Sequence, residues 1–370
     1  MSAKGAVKVV VCGVGLIGGS IGLAARRRLD AEVIGFDPAP GAVAQAIQIG
    51  ALTGGAESVR KAVEDADIVF CAAPVGYLPE LVTEALEASS DDTVVTDVGS
   101  TKRELVEGLA AHPDAGRFIG GHPIAGAETA GVENARAELF EGARWYLTPG
   151  GQAGGVHYDR IQRAVADLGA RPQAIDPELH DRLMATVSHL PHVIANVMVS
   201  QAEVAISEEA ERLPEVGRSF RDTTRVAGAN PQIWKDIFTS NSEAVAAEID
   251  RAVERLREAA ELIRAGDSGA VEAWQSRARA ARDRLLETSR AGGILCELRV
   301  TVLNKPGVVA EIALALGREG VNIEDMALQP AADMRTGAIA LWVAGEADAE
   351  RAIEVMRGLG HTAAPAGSSA

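Results

Sequence analysis

The start of the chain joins a short β-branched run to a glycine pattern, and this combination restricts the fold more than any other feature. The run Lys8–Cys12 predicts a buried strand, and Gly13-x-Gly15-x-x-Gly18 follows it directly. Glycine is needed where a chain turns tightly, approaches a pyrophosphate and packs a helix against a sheet. The next helix directs its amide groups and positive dipole end toward the phosphates. The segment therefore predicts a dinucleotide-binding unit of the Rossmann type.

Asp37 indicates which dinucleotide is bound. It lies 19 residues beyond Gly18, at the end of the second predicted strand. A carboxylate at this place accepts hydrogen bonds from a ribose diol and repels a 2′-phosphate, which favours NAD over NADP. Leu16 and Ile17 lie inside the glycine pattern, and we expect them to contact the cofactor together with the three glycines. The alternative for Asp37 is a turn residue ahead of Pro38.

The first 175 residues repeat one order of a β-branched run, a turn and an amphipathic stretch of helical period. The predicted strands are Lys8–Cys12, Glu32–Phe36, Asp67–Cys71, Thr93–Asp97, Arg117–Gly120, Trp145–Thr148 and Pro172–Ile175. Runs that are apolar on both faces are typical of a parallel sheet covered by helices. We therefore predict an α/β Rossmann-type doubly wound sheet as the NAD-binding domain, over residues 1–175.

Strand signals end after Asp176, and the next hundred or so residues have the pattern of long helices. From Pro177 to about Ser289, Ala, Leu, Ile and Val recur at spacings of three and four residues. A long apolar stripe attached to a sheet domain is typical of a surface that is buried against a second subunit. Packing within the same chain is the alternative. We predict an all-helical substrate and dimerisation domain over residues 176–290, and a homodimer.

A third unit follows the break at Ala291-Gly292-Gly293. Strands are predicted at 294–303, 321–328, 338–344 and near His361, with helices opening at Lys305-Pro306-Gly307 and spanning 347–358. The order βαββαβ predicts a ferredoxin-like domain over residues 294–363. The small, polar residues 364–370 are predicted to be a disordered tail.

The composition excludes several classes of protein. The formal charge is −16, which disfavours a nucleic-acid or anionic-membrane surface, because phosphate is neutralised by clustered Lys and Arg. Three widely separated cysteines indicate neither a disulfide framework nor a zinc site. The apolar stretch from Val7 to Ala25 is broken by glycines, and its basic run follows rather than precedes it, unlike a signal peptide. We predict a cytoplasmic protein.

Polar residues follow two of the predicted strands, at the sheet edge where open α/β sheets bind ligands. One segment runs from Asp97 to Lys102 and the other from Gly120 to Gly126. His122 in the second segment is a candidate general base, because imidazole titrates near working pH and can take a proton from an alcohol as hydride leaves. Ser100 in the first segment is a candidate to hold that ring or the alcohol by a hydrogen bond.

The helical region adds further motifs, and together they resemble one family. These motifs are Ser188-His189-Leu190-Pro191-His192 and the segment from Thr224 to Trp234. With the glycine pattern and the two strand-end segments, they stand in the order typical of the prephenate dehydrogenase family, which includes arogenate dehydrogenases. The similarity extends over about residues 7–285.

The resemblance implies oxidative decarboxylation of prephenate to 4-hydroxyphenylpyruvate in tyrosine biosynthesis, with hydride passing to NAD. His122 then accepts the proton of the ring 4-hydroxyl, and Ser100 orients it. Because aromatisation drives the loss of carbon dioxide, the protein mainly needs positioning and one base.

Prephenate is a dianion, and the resemblance implies which residues bind it. Arg225 matches the residue that grips a carboxylate, for which a bidentate guanidinium is suited. His192 is expected to touch the substrate, and Glu128 to lie near the catalytic pocket. Arg221 stands where many relatives carry lysine, which keeps the charge and changes the geometry.

A metal site is the alternative for the histidines of the helical region. His189 and His192 lie three residues apart, but Pro191 interrupts the turn between them. His180, nine residues before His189, is expected on the opposite helix face. We predict no metal and assign His189 to helix packing or to support of the site.

The C-terminal unit resembles an ACT domain, a family in which small amino acids bind between paired domains. The resemblance rests on Leu303–Gly307 after the first strand and Val321–Ile323 before the second. It implies tyrosine as a feedback effector bound by Asn304, Pro306, Gly307, Asn322 and Ile323. A packing role alone is the alternative.

Two other functions stay open, and a third, a 3-hydroxyacid dehydrogenase, is disfavoured. An arogenate dehydrogenase acts on a substrate that carries an amino group in place of the side-chain ketone. A catalytically silent sensor of NAD and an amino acid belongs to a different class. A 3-hydroxyacid dehydrogenase uses a lysine on its helical domain, and Lys235 is the single lysine between residues 176 and 290.

Overall fold

The structure is a computed structural model that describes residues 6–125, 129–208, 216–289, 295–303, 305, 307–330 and 336–365. The chain divides into two compact units, Met1–Arg257 and Glu258–Ala370. Three predicted site residues, Glu128, Asn304 and Pro306, lie outside the described residues.

The described part of the first unit contains a sheet of eight strands in the order β3-β2-β1-β4-β5-β6-β7-β8. The strands are β1 (Lys8–Cys12), β2 (Glu32–Phe36), β3 (Gly54–Gly55), β4 (Ile68–Cys71), β5 (Val94–Asp97), β6 (Phe118–Pro123), β7 (Arg144–Pro149) and β8 (Arg171–Ala174). All seven predicted strands are present, and the two-residue β3 is an addition. The strand order reverses direction between β1 and β4, which is where doubly wound sheets bind their ligands.

Two strands differ from the prediction. β1 to β6 pair in parallel, but β7 runs antiparallel to β6, and β8 is parallel to β7. The prediction of a parallel sheet is therefore wrong for β7 and β8. The described residues between β6 and β7 form only two short 3₁₀ turns, whereas parallel neighbours usually need a helical crossover. A strand that is buried on both faces has an apolar pattern whichever way it runs in the sheet. The pattern therefore did not indicate this reversal.

Helices cover both faces of the sheet. They are α1 (Leu16–Leu29), α2 (Ala42–Gln48), α3 (Val59–Val63), α4 (Leu78–Ala88), α5 (Arg103–Gly108) and α6 (Gly155–Asp167). Because side chains alternate along a strand, Val9 and Val11 of β1 pack against α1 and α6, while Val10 and Cys12 pack on the opposite face with α3 and α4. The two apolar cores fix the strands whose carboxyl ends carry the polar segments.

The predicted helical region is present after β8. Its helices are α7 (Pro177–Met184), α8 (Leu190–Glu208), α9 (Arg218–Thr224), α10 (Pro231–Ser240), α11 (Ser242–Ala265) and α12 (Ser268–Ser289). Asp176 caps the start of α7 by accepting a hydrogen bond from Leu179 N–H. A wide π-helical turn over Ala185–His189 joins α7 to α8.

The second unit contains the predicted βαββαβ order. Its elements are β9 (Leu295–Leu303), α13 (Val308–Arg318), β10 (Ile323–Pro330), β11 (Thr336–Ala344), α14 (Glu346–Gly358) and β12 (Thr362–Pro365). The strands form an antiparallel sheet in the order β10-β11-β9-β12, which confirms the ferredoxin-like arrangement. The prediction of disorder from residue 364 is wrong for Ala364 and Pro365, because both pair with β9. Composition alone does not show that a strand edge is available.

Candidate active site

The glycine loop after β1 has the shape that a dinucleotide needs. Gly13 has a φ of +98°, and a Cβ there would lie 2.4 Å from the carbonyl oxygen of Ala72. A Cβ at Gly18 would lie 2.0 Å from the carbonyl oxygen of Gly13. At Gly15, next to the start of α1, a Cβ would meet nothing within 4 Å. Backbone atoms therefore pack tightly against the loop at Gly13 and Gly18, while there is free space at Gly15, beside the start of α1. This arrangement fits a pyrophosphate held by backbone amide groups.

Asp37 lies beside this loop, at the end of β2. Its Oδ2 accepts a hydrogen bond of 2.6 Å from Val14 N–H, and its Oδ1 accepts one of 2.8 Å from Ala39 N–H. The hydrogen bond from Val14 N–H holds the glycine loop. The hydrogen bond from Ala39 N–H stabilises the turn after β2, which is the alternative that the sequence left open for Asp37. The carboxylate is partly exposed at the position expected of a ribose-binding residue. Leu16 and Ile17, in the first turn of α1, are half-buried against the core.

His122 is the last residue but one of β6, and it pairs with a second histidine that was not predicted from the sequence. Its Nδ1 lies 2.9 Å from Nε2 of His180 on α7, and the rings meet edge to face with centroids 5.1 Å apart. His180 is fully buried, and its Nδ1 lies 2.7 Å from Oδ1 of Asp181. From the sequence, His180 was a candidate only for a metal site. The sequence signal that could have identified His180 was its position next to Asp181, in a helix with a capping residue.

Asp181 also joins this histidine pair to the start of α5. Its carboxylate accepts hydrogen bonds from the backbone N–H groups of Lys102, at 2.8 Å, and Arg103, at 2.9 Å. Its carbonyl oxygen accepts a hydrogen bond of 2.8 Å from Asn241 Nδ2. Segments that are distant in sequence therefore meet at one buried carboxylate.

A buried ion pair holds the loop after β5. Lys102 Nζ contacts Asp97 Oδ2, and both side chains are 0% exposed. Asp97 also accepts hydrogen bonds from the backbone N–H groups of Gly99, at 2.7 Å, and Gly121, at 3.0 Å. Gly121 immediately precedes His122, so this carboxylate fixes the β5 loop and the end of β6 together.

Ser100 lies in this loop and is half-buried. Among the described residues no hydrogen bond joins Ser100 to His122. The Nδ1 atom of His122 faces His180 instead, whose ring is held by a carboxylate. The other predicted role of Ser100, a hydrogen bond to the substrate alcohol, stays a prediction.

The surroundings keep His122 uncharged. Burial lowers the pKa of His122 well below its ordinary range, and the nearby His180 and the Lys102 ammonium lower it further. Burial also lowers the pKa of His189 to about 4. A neutral imidazole is the form that can accept a proton.

His192 lies in an aromatic cluster of the helical region. It is 4% exposed, and its ring stacks on Trp234 with centroids 3.6 Å apart and meets Phe238 edge-on. Its buried Nδ1 has no hydrogen-bond partner within the described ranges. His189 also packs edge-on against Trp234 and accepts a hydrogen bond of 3.2 Å from Asn241. Where the structure describes the chain, no group of three or more His, Cys, Asp or Glu is arranged to hold a metal ion.

The structure does not bring the two predicted arginines to the histidine pair. Arg221 lies on α9 and Arg225 starts the short 3₁₀ turn that follows it, and both are exposed. Among the described contacts none joins either guanidinium to His122 or His180.

The described effector residues of the second unit lie at opposite ends of the strands of its sheet. Gly307 caps the start of α13, just beyond the end of β9. Asn322 is exposed and precedes Ile323, which is half-buried. Ile323 pairs with Val343 of β11, and Val343 pairs with Cys296 near the start of β9. The length of β9 separates the two groups by roughly 25 Å at 3.4 Å per residue.

Comparison with known proteins identifies the parts of the chain. Residues 21–173 match the family model of the prephenate dehydrogenase nucleotide-binding domain, and residues 176–275 match that of the prephenate dehydrogenase dimerization domain. Residues 298–363 match the model of an AHAS small subunit-like ACT domain.

Full-length relatives agree with these matches. Prephenate dehydrogenase of Bacillus subtilis is 29% identical over 93% of this chain and 94% of its own length. That of Lactococcus lactis is 31% identical over 84% of this chain and 86% of its own length.

Two solved structures have the same fold. Prephenate dehydrogenase from Aquifex aeolicus, in complex with hydroxyphenyl propionate and NAD+, has a TM-score of 0.68, is 31% identical and covers 77% of this chain and 100% of its own. Synechocystis arogenate dehydrogenase has a TM-score of 0.64, is 25% identical and covers 75% and 100%. These matches confirm the predicted Rossmann-type, helical and ACT-like domains. The chain belongs to the prephenate dehydrogenase family.

Proposed function

We propose that this oxidoreductase converts prephenate and NAD to 4-hydroxyphenylpyruvate, carbon dioxide and NADH. The observation that carries the proposal is His122, a half-buried and uncharged imidazole at the same carboxyl edge of the sheet as the glycine loop. NAD as the cofactor is supported by the open space at Gly15, by Asp37 and by the nucleotide-binding family model.

The residues then have separate tasks. NAD, when bound, supplies the nicotinamide that accepts hydride. His122 takes the proton of the ring 4-hydroxyl as that hydride leaves, which is general base catalysis. The Asp97 and Lys102 pair holds the segment that carries His122, so the base is positioned before the substrate arrives.

Binding of the dianionic substrate needs local positive charge in a chain of net charge −16. We assign carboxylate recognition to Arg225, with Arg221 as a second cation, because a guanidinium binds carboxylate through two parallel hydrogen bonds. His192 is assigned to the substrate as well, since its buried Nδ1 has no partner within the described ranges. Ser100 and Glu128 keep their assignments as polar residues of the pocket.

We further propose that the chain acts as a homodimer through its helical region. Within the 28-residue stretch Pro177–Val204, one segment of 18 residues has a mean hydropathy of 1.2, and 28% of that segment is buried. By length and composition this stretch could cross a membrane. A single helix of this kind is weak evidence for a membrane. Val187, at 63% exposed, and Val197, at 54%, instead fit a subunit interface, in agreement with the dimerization model matched here.

Tyrosine is our proposed effector, bound by the ACT-like domain. Because Gly307 and Asn322 lie at opposite ends of the strands of one sheet, a site that uses both groups requires two copies of the domain. Tyrosine can change turnover only if it binds one conformational state better than another.

The proposal is tested by following reduced nicotinamide absorbance with prephenate or arogenate, NAD or NADP, and with or without tyrosine. We expect turnover with prephenate and NAD and suppression by tyrosine. A preference for arogenate would keep the mechanism and change the substrate. No turnover in any combination would contradict the enzymatic proposal and favour a sensor of NAD and an amino acid.

A further inference from the structure

Behind His122, two buried side chains form a continuous line of hydrogen-bonding groups. His122 Nδ1 lies 2.9 Å from His180 Nε2, and His180 Nδ1 lies 2.7 Å from Asp181 Oδ1. The ring of Tyr146 packs edge-on against His180 with centroids 5.5 Å apart. His180 therefore sits between two rings, with both of its nitrogen atoms in hydrogen-bond range of a partner.

With both imidazole rings neutral, the chemistry of the three groups determines where the protons are. Asp181 accepts from two backbone N–H groups and, as a carboxylate, has no proton to donate, so His180 Nδ1 must carry hydrogen and donate it. The Nε2 of a neutral His180 is then an acceptor, and His122 Nδ1 must donate to it. Nε2 of His122 is left with a lone pair, and it has no hydrogen-bond partner among the described residues.

We propose that His180 and Asp181 are positioning residues that hold His122 in the tautomer whose Nε2 accepts the substrate proton. This inference rests on the proposed role of His122 as the base. It goes further because it assigns the orientation of that base to α7, an element that follows the nucleotide-binding sheet.

The same line stabilises the charge that the reaction creates. When the hydroxyl proton moves to His122 Nε2, the ring becomes an imidazolium that carries hydrogen on both nitrogen atoms. Its Nδ1–H still donates to His180, whose Nδ1–H still donates to the Asp181 carboxylate. The new positive charge therefore faces a negative charge through one neutral ring, in a buried environment where such interactions are strong.

His180 is the better residue to change, because Asp181 has a second task. The Asp181 carboxylate also satisfies two N–H groups at the start of α5, so replacing it alters that helix as well as the base. The side chain of His180 contacts only the groups of the proposed line and the ring of Tyr146 among the described interactions.

The test compares His180→Leu and His180→Gln in the full-length enzyme. We expect His180→Leu to lower kcat by about 10²-fold or more, with KM values for substrate and NAD changed less than about twofold. We expect His180→Gln to recover at least about tenfold of that loss, because its amide can accept from His122 and donate to Asp181. His112→Gln, which removes a histidine beside Asp114 outside this line, should leave kcat unchanged.

A spectroscopic measurement separates tautomer control from packing. The chain has seven histidines, so selective ¹⁵N-histidine labelling gives an assignable set of ring signals. We expect His122 Nε2 to be unprotonated in the unaltered protein and in His180→Gln, and mixed tautomers in His180→Leu. Unchanged kcat in His180→Leu, or a folded His180→Gln as slow as His180→Leu, would overturn the inference. Since the tautomer is measured without turnover, silence with every substrate would contradict the proposed function and leave this test intact.

Discussion

The two sheets of this molecule differ in what they bury. In the described part of the first unit, polar and charged side chains are buried at the strand ends and in the helices next to them. They are Ser20, Thr93, Thr96, Asp97, Thr101, Lys102, Arg117, Thr148, His180, Asp181, His189, His192 and Asn241. None of the described residues of the second unit belongs to this group.

The described core of the second sheet is apolar throughout. It is formed by residues such as Leu298, Val300, Val302, Ile339 and Leu341. Burying a polar group costs free energy unless every hydrogen bond is replaced, so an apolar core is the more stable choice. The difference indicates that the first sheet retains buried polar groups, despite their cost in folding free energy, because they serve catalysis. Ligand recognition in the second is left to its loops and exposed edges.

The strongest test of this comparison is removal of the proposed base. His122→Asn should lower turnover by about 10²- to 10⁴-fold, because no other described group replaces the neutral imidazole. NAD binding, measured by titration calorimetry, should be retained since the glycine loop is unchanged. His157→Asn on α6, where the histidine lies 3.2 Å from the carbonyl oxygen of Asp91, is the matched control and should keep full turnover. Turnover near that of the unaltered enzyme would indicate that the buried polar groups of the first sheet have a structural role only.

A stability measurement compares the sheets directly. Lys102→Met should lower the free energy of unfolding by about 3 to 5 kcal/mol, because it leaves the buried Asp97 carboxylate without its ammonium partner. The matched change in the second sheet is Arg299→Met. Arg299 lies 3.9 Å from Glu297 and is 74% exposed, so its loss should be close to neutral. Urea unfolding of both variants provides the values, and equal losses would contradict the distinction.

The acid limb of the pH profile tests the charge state of the cluster. Only the neutral His122 ring can accept a proton, so activity is lost when this ring becomes protonated. Since burial, the nearby His180 and the Lys102 ammonium lower the pKa of His122, that loss should occur at a pH below the ordinary histidine value of about 6.5. The measurement is kcat/KM against pH, which reports the free enzyme. A half-maximal value at or above pH 6.5 would show that the environment does not hold the ring neutral.

A smaller effect is expected at the cofactor end of the same sheet. Asp37→Ser should raise the ratio of kcat/KM for NADP to that for NAD by about tenfold, because the carboxylate that repels a 2′-phosphate is removed. Asp65→Ser removes a carboxylate from an exposed turn before β4 and should leave the ratio unchanged. An unchanged ratio in Asp37→Ser would limit Asp37 to holding Val14 and the turn.

Sequence reasoning was effective where local pattern determines structure. The period of the apolar residues indicated both sheets and the helical region between them, and the glycine spacing indicated the loop at Gly13. His122 and the β5 loop were found because residues at the ends of parallel strands meet at one edge. These inferences depend on residues that are close together in the sequence, and their pattern is visible in a single sequence.

The partner of His122 could not be found in this way. His180 lies 58 residues later, and its contact with His122 depends on how α7 returns to the end of β6. Asp181 acquires its role from backbone N–H groups of α5, 78 and 79 residues away, and backbone groups leave no sequence signal. The direction of β7 was missed for a related reason, because its apolar residues suit either orientation.

The smallest predicted effect sharpens the comparison from the side of the second sheet. Gly307 caps α13 with a φ of +89°, and Gly317 lies in the last turn of the same helix. A side chain strains the backbone at positive φ, so Gly307→Ala should lower the free energy of unfolding by about 1 kcal/mol. Gly317→Ala should raise it by about 0.5 to 1 kcal/mol, because alanine is the better helix residue. Both variants should keep unaltered turnover without tyrosine, and a change there would show that the second unit takes part in the chemistry of the first.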